Sequence, residues 1–298
     1  MDLSVIIVSF NTREKLQKCL QSVFRSATNY QFEVWVVDNA SGDRSCEMAR
    51  TDFPAVKLIE NKENLGFSKA NNQAIKEMRR KGETGKSRYI LLLNSDVEIS
   101  PDTFDKMIAF MDNDHTVGIS GCKVLKPNGK LDLACRRSFP DLAGAIFRFT
   151  GLSFLFPKSR FSSYNLTFLS EDQTAEVDSV MGAFLLIRRE TADKIGPLDE
   201  NYFMYGEDMD WCYRAKRAGY KVLYAPITTV VHFKGSSSRK QPKKALYDFH
   251  RAMQIFYDNH YRQRHNFLVN MLVKIGIWGR YIIKLTENGL RREKYVSK

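Results

Sequence analysis

The chain lacks the glycines that a dinucleotide-type phosphate cradle requires. After the first apolar run, Ser9-Phe10-Asn11-Thr12-Arg13 contains no glycine, so Gly-x-Gly-x-x-Gly is excluded at that place, and the P-loop signature is missing throughout. A nucleotide bound here would need another counter-charge for its phosphates. Cysteine is sparse: five residues, at 19, 46, 122, 135 and 212, form no close pair and no metal-ligand spacing. That excludes a disulfide framework and points to reduced thiols in a cytosolic chain, with Cys19 and Cys212 at helical core positions. Met1 and Asp2 lead directly into Leu3-Ser4-Val5-Ile6-Ile7-Val8, without a basic region, a long apolar run or a small-residue cleavage site. The expectation is a strand and not a signal peptide. No internal repeat or low-complexity stretch is visible.

What is present suits a folded enzyme-sized protein. A chain of 298 residues with 43% hydrophobic residues can fill a real core and fits one large α/β unit with an appendage. The net charge of +12 is unevenly placed: from Lys234 to Lys298 there are 15 Lys and Arg against 4 Asp and Glu, or +11, leaving +1 for residues 1–233. A basic tail suits nucleic acid, an anionic membrane surface or a phosphorylated substrate.

Apolar runs alternate with helical patterns through the first half. Residues 3–10 read as a strand, and Asn11-Thr12-Arg13-Glu14 opens a helix whose apolar face is Leu16, Cys19, Leu20, Val23 and Phe24. Residues 32–38 and 56–60 are further strands, and Asn64-Leu65-Gly66-Phe67 leads into a helix through Met78. The basic stretch 79–87 is a surface loop. Residues 89–96, Tyr-Ile-Leu-Leu-Leu-Asn-Ser-Asp, have no polar alternation until the end, as expected for a central parallel strand buried on both faces. This order predicts a parallel sheet with helices on both faces and right-handed crossovers. Beyond a helix over 101–113 the pattern turns mixed, with strands at 117–125, 131–136, 177–188 and 221–232 and helices at 191–195 and 206–218, the last stopped by Gly219. The Phe- and Ser-rich segment 140–172 reads as a mobile loop with a short helix.

Three strand ends carry polar groups: Ser9 with Asn11, Asp38 with Asn39, and Asn94-Ser95-Asp96. In a doubly wound half-sheet these ends adjoin and form a crevice suited to a nucleotide. Asp96 is either a ligand there or the cap of the following helix, and a divalent cation held by Asp96 is the economical counter-charge for a pyrophosphate. In Tyr205-Gly206-Glu207-Asp208-Met209-Asp210-Trp211, three carboxylates open a helix. They either complement the helix dipole or supply a general base, because a carboxylate held at a helix N-terminus stays ionised at neutral pH. His232 ends an apolar strand beside the flexible segment Gly235-Ser236-Ser237-Ser238, and it is a packed residue or a metal ligand backed by a movable lid.

Taken together, Ser4-Val5-Ile6-Ile7-Val8-Ser9-Phe10-Asn11, Val36-Val37-Asp38-Asn39-Ala40-Ser41, Asn64-Leu65-Gly66-Phe67 with Asn71, Leu92-Leu93-Asn94-Ser95-Asp96, Gly182-Ala183, and Phe203-x-Tyr205-Gly206-Glu207-Asp208-x-Asp210 with Arg214 resemble the family 2 glycosyltransferases. Within them they are most similar to the rhamnosyltransferase-like branch, over residues 3–235. The resemblance implies a GT-A fold and an inverting transfer of a sugar from a nucleoside diphosphate. It implies that Asp38 contacts the base, that Ser9 and the segment from Asn64 to Asn71, Gly66 included, line the nucleotide and ribose pocket, and that Asp96 ligates the metal. Asp208 matches the catalytic base and His232 the additional metal ligand. The family's Asp-x-Asp stands here as Asn94-Ser95-Asp96, which leaves one carboxylate for the cation. One imidazole beside one carboxylate is more natural for Mn²⁺ than for Mg²⁺, with both open. Gly182 and Ala183 are expected to allow close approach of the donor sugar, and Glu207, Tyr205 and Trp211 to shape the acceptor pocket, with core packing as the other reading of Trp211.

Residues 243–285 show helical apolar spacing, as in Leu246, Phe249, Met253, Phe256 and Tyr257. Residues 267–285 are more apolar, but Asn270, Lys274 and Arg280 make them too polar to span a bilayer comfortably and suited to an interface. Two amphipathic helices packed on the catalytic unit or on a twin subunit are one expectation. The other is peripheral attachment to the anionic cytoplasmic leaflet beside a lipid-pyrophosphate-linked acceptor. The near-neutral catalytic half and the lack of a recognition motif speak against nucleic acid. The expected organisation is a catalytic domain over 1–235, split at 113/114 into nucleotide-binding and acceptor halves, and a basic helical tail over 236–298. The expected activity is transfer of L-rhamnose from dTDP-rhamnose to a cell-surface polysaccharide or its lipid-linked precursor. Galactofuranose, glucose or N-acetylhexosamine transfer is the alternative, and a non-catalytic nucleotide-sugar-binding protein at the membrane surface is the rival from another class.

Overall fold

Strand β1 (Leu3–Ser9) is buried along nearly its whole length and pairs in parallel with β2 (Phe32–Asp38) on one side and β4 (Tyr89–Asn94) on the other. This is the computed structural model of the chain, and it describes residues 1–80, 87–140, 164–234 and 242–290. The β-branched and leucine-rich character of these strands, with no polar alternation, suits positions covered by helices on both faces. β3 (Lys57–Glu60) adds to β2, so the four strands run parallel in the order β3-β2-β1-β4. Helix α1 (Arg13–Phe24) buries Leu16, Cys19, Leu20 and Val23, the spacing of one helical face, while Phe24 at its end is 37% exposed. Helices α2 (Ser45–Asp52) and α3 (Phe67–Arg80) complete the crossovers. Nothing corresponding to α2 is in the sequence reading, because its short polar run Ser45-Cys46-Glu47-Met48 carries little periodicity.

Beyond β4 the sheet turns mixed, as expected. A short strand β5 (Val97–Ile99) follows a tight turn at Ser95 and Asp96, and helix α4 (Thr103–Asp112) starts well beyond it, so Asp96 is not its cap. β6 (Val117–Leu125) leads to a single 3-10 turn (Leu133–Cys135) and a two-residue strand β7 (Arg136–Arg137) in place of a longer strand over 131–136. Short strands β8 (Ala175–Glu176) and β9 (Ser179–Val180) and then β10 (Phe184–Arg188) follow. The expected single strand over 177–188 is therefore two, because β9 pairs with β7 in a small separate sheet while β10 enters the main one. The turn at 181–183 between them meets Asp208 through the Gly182 N–H. β10 is antiparallel to both β4 and β6, and the twelve-residue β11 (Lys221–His232) closes the order β4-β10-β6-β11-β5, with register shifts that let one strand serve β6 first and β5 at its end.

Helices α5 (Arg189–Ile195) and α6 (Glu207–Arg217) lie between β10 and β11. Gly206 and Gly219 bracket α6 at φ 82° and 92°, values that favour glycine. The tail forms two helices, α7 (Pro242–His260) and α8 (Phe267–Leu290). Ala252 and Phe256 of α7 join Tyr202, Met209 and Tyr213 in a second core cluster, so the first tail helix is packed on the catalytic unit. Among the described residues, no helix is long and apolar enough to cross a membrane. Most of the loop expected at 79–87, the greater part of segment 140–172 and the Gly-Ser segment after Lys234 lie outside the described residues.

Candidate active site

The parallel register brings the expected strand ends to one edge. Ser9 pairs with Asp38, and Val8 pairs with Asn94. A chain of hydroxyls crosses this edge from Ser9 to Thr12 at 3.1 Å and from Thr12 to Ser95 at 3.0 Å, tying the turn after β1 to the turn after β4. Asn11 adopts φ 53°, a conformation that asparagine tolerates, and its side-chain carbonyl accepts from the Gly42 N–H at 2.8 Å. Asp38 is buried: Oδ2 accepts from the Ser41 N–H at 2.7 Å, and Oδ1 has no N–H or O–H donor among the described residues. Burial and the nearby Asp38 charge push the Cys46 thiol up to about 12, which keeps it neutral.

The segment from Asn64 to Asn71 closes this edge. The Asn64 side-chain Oδ1 accepts from the Gly66 N–H at 3.0 Å, and the Asn39 side-chain amide donates to the Gly66 backbone carbonyl at 3.1 Å. Gly66 sits at φ 85°, and a Cβ there would fall 2.5 Å from the Phe203 carbonyl oxygen, so only glycine fits. Asn71 is fully buried, its amide donating to Phe67 at 2.8 Å while its Oδ1 has no hydrogen-bond partner among the described residues.

Asp96 and His232 meet because β11 pairs with β5, placing His232 opposite Val97. His232 Nε2 lies 3.1 Å from Asp96 Oδ1. On the other side of the ring, Nδ1 lies 3.6 Å from Asp132 Oδ2, which also takes Lys234 Nζ at 2.6 Å. Burial pushes Asp132 up, but His232 and Lys234 more than offset it and hold the carboxyl far below its usual range. Burial likewise pushes His232 down, and the two flanking carboxylates outweigh it, so its pKa is raised. Lys15 stands 3.9 Å from Asp96 Oδ2 and donates to the Phe233 carbonyl.

Asp208 lies in the first turn of α6 against the turn at 181–183. Its Oδ2 accepts from Arg137 at 2.8 Å and from the Gly182 N–H at 2.8 Å, and its Oδ1 accepts from the Met209 N–H at 2.7 Å. Two hydrogen bonds fill Oδ2, whereas Oδ1 keeps an acceptor position. A Cβ on Gly182 would stand 3.3 Å from Asp208 Cβ, so in this structure the glycine makes room for Asp208, and Ala183 beside it is buried, its carbonyl accepting from the Asn94 N–H at 3.1 Å. Glu207 is buried next to it, with Oε2 lacking a partner among the described residues. Burial, and then the Asp208 charge, push its carboxyl up to about 8. Asp210 faces the other way, onto Arg214 at 2.8 Å and His260 at 2.7 Å. Trp211 does not face an acceptor: it is fully buried with Nε1 donating to the Gly196 carbonyl at 2.9 Å, which corrects the expectation that it could stack on a sugar. Tyr205 holds φ 71° immediately before Gly206, backbone strain at the point where the carboxylates are presented, and its ring meets Phe249 edge-on at 5.9 Å.

Sequence reasoning missed Arg137, Asp132, Lys15, Lys234 and His260. Arg137 and Asp132 stand in a stretch without periodicity or motif, and their burial, which would have flagged them, is a property of the fold alone. Among the described residues no group of three or more His, Cys, Asp or Glu is arranged to hold a metal, so Asp96 and His232 form a two-residue ligand pair at most.

The family model described as "Glycosyl transferase family 2" matches residues 4–195. The chain is 27% identical over 258 residues to the N-acetylglucosaminyl-diphospho-decaprenol L-rhamnosyltransferase of Mycobacterium tuberculosis, covering 85% of this chain and 83% of that one. It is 25% identical over 246 residues to the rhamnosyltransferase WbbL of Escherichia coli, covering 81% of this chain and 87% of that one. Among solved structures, S. aureus TarS 1-349 in complex with UDP-GlcNAc superposes with a TM-score of 0.58 at 18% identity, over 98% of this chain and 76% of that one. The mannosyltransferase PcManGT from Pyrobaculum calidifontis, in complex with GDP-Man and Mn²⁺, gives 0.55 at 18% identity, over 82% of this chain and 61% of that one. The fold is the GT-A fold of these glycosyltransferases. The chain belongs to glycosyl transferase family 2 and is a nucleotide-sugar-dependent glycosyltransferase of its rhamnosyltransferase-like branch.

Proposed function

We propose that the protein is an inverting, metal-dependent rhamnosyltransferase that moves L-rhamnose from dTDP-rhamnose to a lipid-linked precursor of a cell-surface polysaccharide. The observation that carries the reading is the convergence, at one sheet edge, of Ser9, Asp38 and Asn94 by strand register with the Asp96–His232 pair at 3.1 Å. The rhamnose assignment is supported by the relatives whose names specify that sugar.

In this reading Asp38, with its open Oδ1, meets the base, while Ser9, Asn11, Asn64, Gly66 and Asn71 line the nucleoside pocket and Asn94 and Ser95 its floor. Asp96 and His232 fit a divalent cation, Mn²⁺ or Mg²⁺: a carboxylate and a ring nitrogen already face each other, and a second carboxylate stands behind the ring, as around many metal-bound histidines. A cation held there would offset charge on the leaving diphosphate. Asp208 takes the proton from the acceptor hydroxyl through Oδ1, while Arg137 and the Gly182 N–H fix Oδ2. A single base on the face opposite the leaving group yields inversion. Glu207, neutral below about pH 8, can donate to a sugar oxygen beside it.

The domain arrangement proposed is a catalytic unit over 1–235 and a tail over 236–298 that keeps the enzyme on the inner face of the cell membrane, where the +11 charge of residues 234–298 meets anionic headgroups. A second reading, transfer of another hexose or N-acetylhexosamine, is favoured by the UDP-GlcNAc and GDP-Man held by structural neighbours. A thermal-shift panel of nucleotide sugars with Mn²⁺ or Mg²⁺ separates the two, because a ligand bound by the native state raises its melting temperature. The largest shift is expected with dTDP-rhamnose, and a larger one with UDP- or GDP-sugars would reject the rhamnose assignment.

A further inference from the structure

Helix α8 carries an apolar face that nothing among the described residues covers. Phe267, Leu268, Leu272, Ile275, Ile282 and Ile283 are exposed, and together with Met271 their exposures run from 38% to 82%. At about 100° per residue these side chains share one arc of roughly 160°. Every residue that falls within that arc is apolar, glycine or threonine, with no charged side chain. The flank beside the arc is the one that packs: Ile277 is buried and Tyr257 donates to Asn270 at 2.7 Å, while Trp278, just inside the edge of the arc, donates through Nε1 to Gln254 at 2.7 Å. A surface helix normally turns its apolar stripe inward, so this one presents a second stripe to the outside.

Charge selects the occupant. Lys274 borders the arc on one side and Arg280 stands beyond its other edge, where Glu287 is paired with Lys284 at 2.8 Å, all within a tail of net charge +11. A second copy docked along this face would bring two such tails together, whereas an anionic lipid surface takes up both the apolar arc and the net positive charge of the tail. The 24 residues of α8 suit an orientation in the plane of the interface.

The helix is also tied to the catalytic turn. α8 holds α7 through the ring cluster of Tyr247, Trp278 and Tyr281, with centroid distances of 5.6 to 6.1 Å. The end of α7 and the turn after it hold α6 through His260 on Asp210 at 2.7 Å, Arg264 on Tyr213 at 2.7 Å and the His260 and Tyr213 rings, tilted by 33° at a centroid distance of 4.1 Å. We propose that the outward face of α8 inserts into an anionic lipid surface and that the α8-α7-α6 stack sets the Asp208 turn at a fixed height above the headgroups. This inference rests on the reading of a membrane-borne acceptor and names the surface that meets the membrane.

The test is co-sedimentation of the full chain with phosphatidylcholine vesicles, with and without phosphatidylglycerol, comparing wild type with the double variant Leu272→Asp/Ile275→Asp. Both sites are exposed, so the variant should keep the wild-type melting temperature. The expected result is binding that requires phosphatidylglycerol, that survives in part at high salt because it is not purely electrostatic, and that falls at least about tenfold in the variant. Brominated lipid should quench Trp278 in the wild type. Equal binding of the variant, complete release by salt, or a wild-type dimer that the variant splits would overturn the proposal. A nucleotide-sugar thermal shift on the same samples keeps the two readings apart: its absence refutes the enzymatic reading while leaving the lipid result standing.

Discussion

Arg137 and Asp208, 71 residues apart in the chain, meet at 2.8 Å in a site from which solvent is almost excluded. The contact joins the small β7-β9 sheet to the first turn of α6, and it holds one oxygen of the carboxylate while the other accepts from the Met209 N–H.

Arg137→Met should therefore affect stability and turnover together. Removing one partner of a buried pair costs about 3–5 kcal/mol because the remaining charge is left uncompensated. Urea unfolding should show this loss, and kcat should fall more than donor affinity. An unchanged unfolding midpoint would mean that Asp208 is solvated in solution.

Glu207 makes stability depend on pH. Its carboxyl is raised to about 8 by burial and by Asp208, above the 4.5 of a free side chain. The native state then holds a proton that the unfolded chain releases between these values, so stability falls as pH rises from about 4.5 to about 8 and levels off above. Glu207→Gln should match wild type at pH 4 and melt higher than wild type at pH 8. Parallel melting curves across that range would show that the group ionises normally.

Asp132 stands behind His232, its Oδ2 3.6 Å from Nδ1, on the side of the ring away from Asp96. Mn²⁺ binding with a nucleoside diphosphate, followed by electron paramagnetic resonance, should be lost in Asp96→Ala and weakened about 10–100-fold in Asp132→Ala. Wild-type Mn²⁺ affinity in Asp96→Ala would remove the metal from this pair.

Gly66→Ala places a methyl 2.5 Å from a backbone oxygen at a positive φ. A backbone atom cannot swing aside, and a loss of about 2–5 kcal/mol is expected in thermal or chemical unfolding. A neutral result would show that residues 64–67 move freely away from Phe203.

Much of this site was legible because parallel strands end at a common edge: once residues 3–10, 32–38 and 89–94 are strands, Ser9, Asp38 and Asn94 must be neighbours. Asp96 and His232 were expected as partners only through the family resemblance, and the pairing of β11 with β5 supplies the physical reason. Arg137 and Asp132 were illegible, since each is one charge in an aperiodic stretch whose partner lies far along the chain. The strand expected over 177–188 failed for a related reason. Its apolar run hides the turn at Gly182, which the packing of Asp208 selects. Trp211 looked like a sugar platform by type, yet helical phase turns it into the core. The tail's helices followed from periodicity, but periodicity could not say that α7 would be covered and that one face of α8 would stay exposed among the described residues.

The most direct test is single-turnover transfer from dTDP-rhamnose to an N-acetylglucosaminyl-diphospho-lipid, comparing wild type with Asp208→Asn while donor binding is measured on both. The account predicts a deoxyhexose added with inverted anomeric configuration by the wild type. It also predicts a rate lowered by at least about 10²-fold in the variant with donor affinity retained. Near-equal rates in the two proteins, or a product of retained configuration, would contradict it.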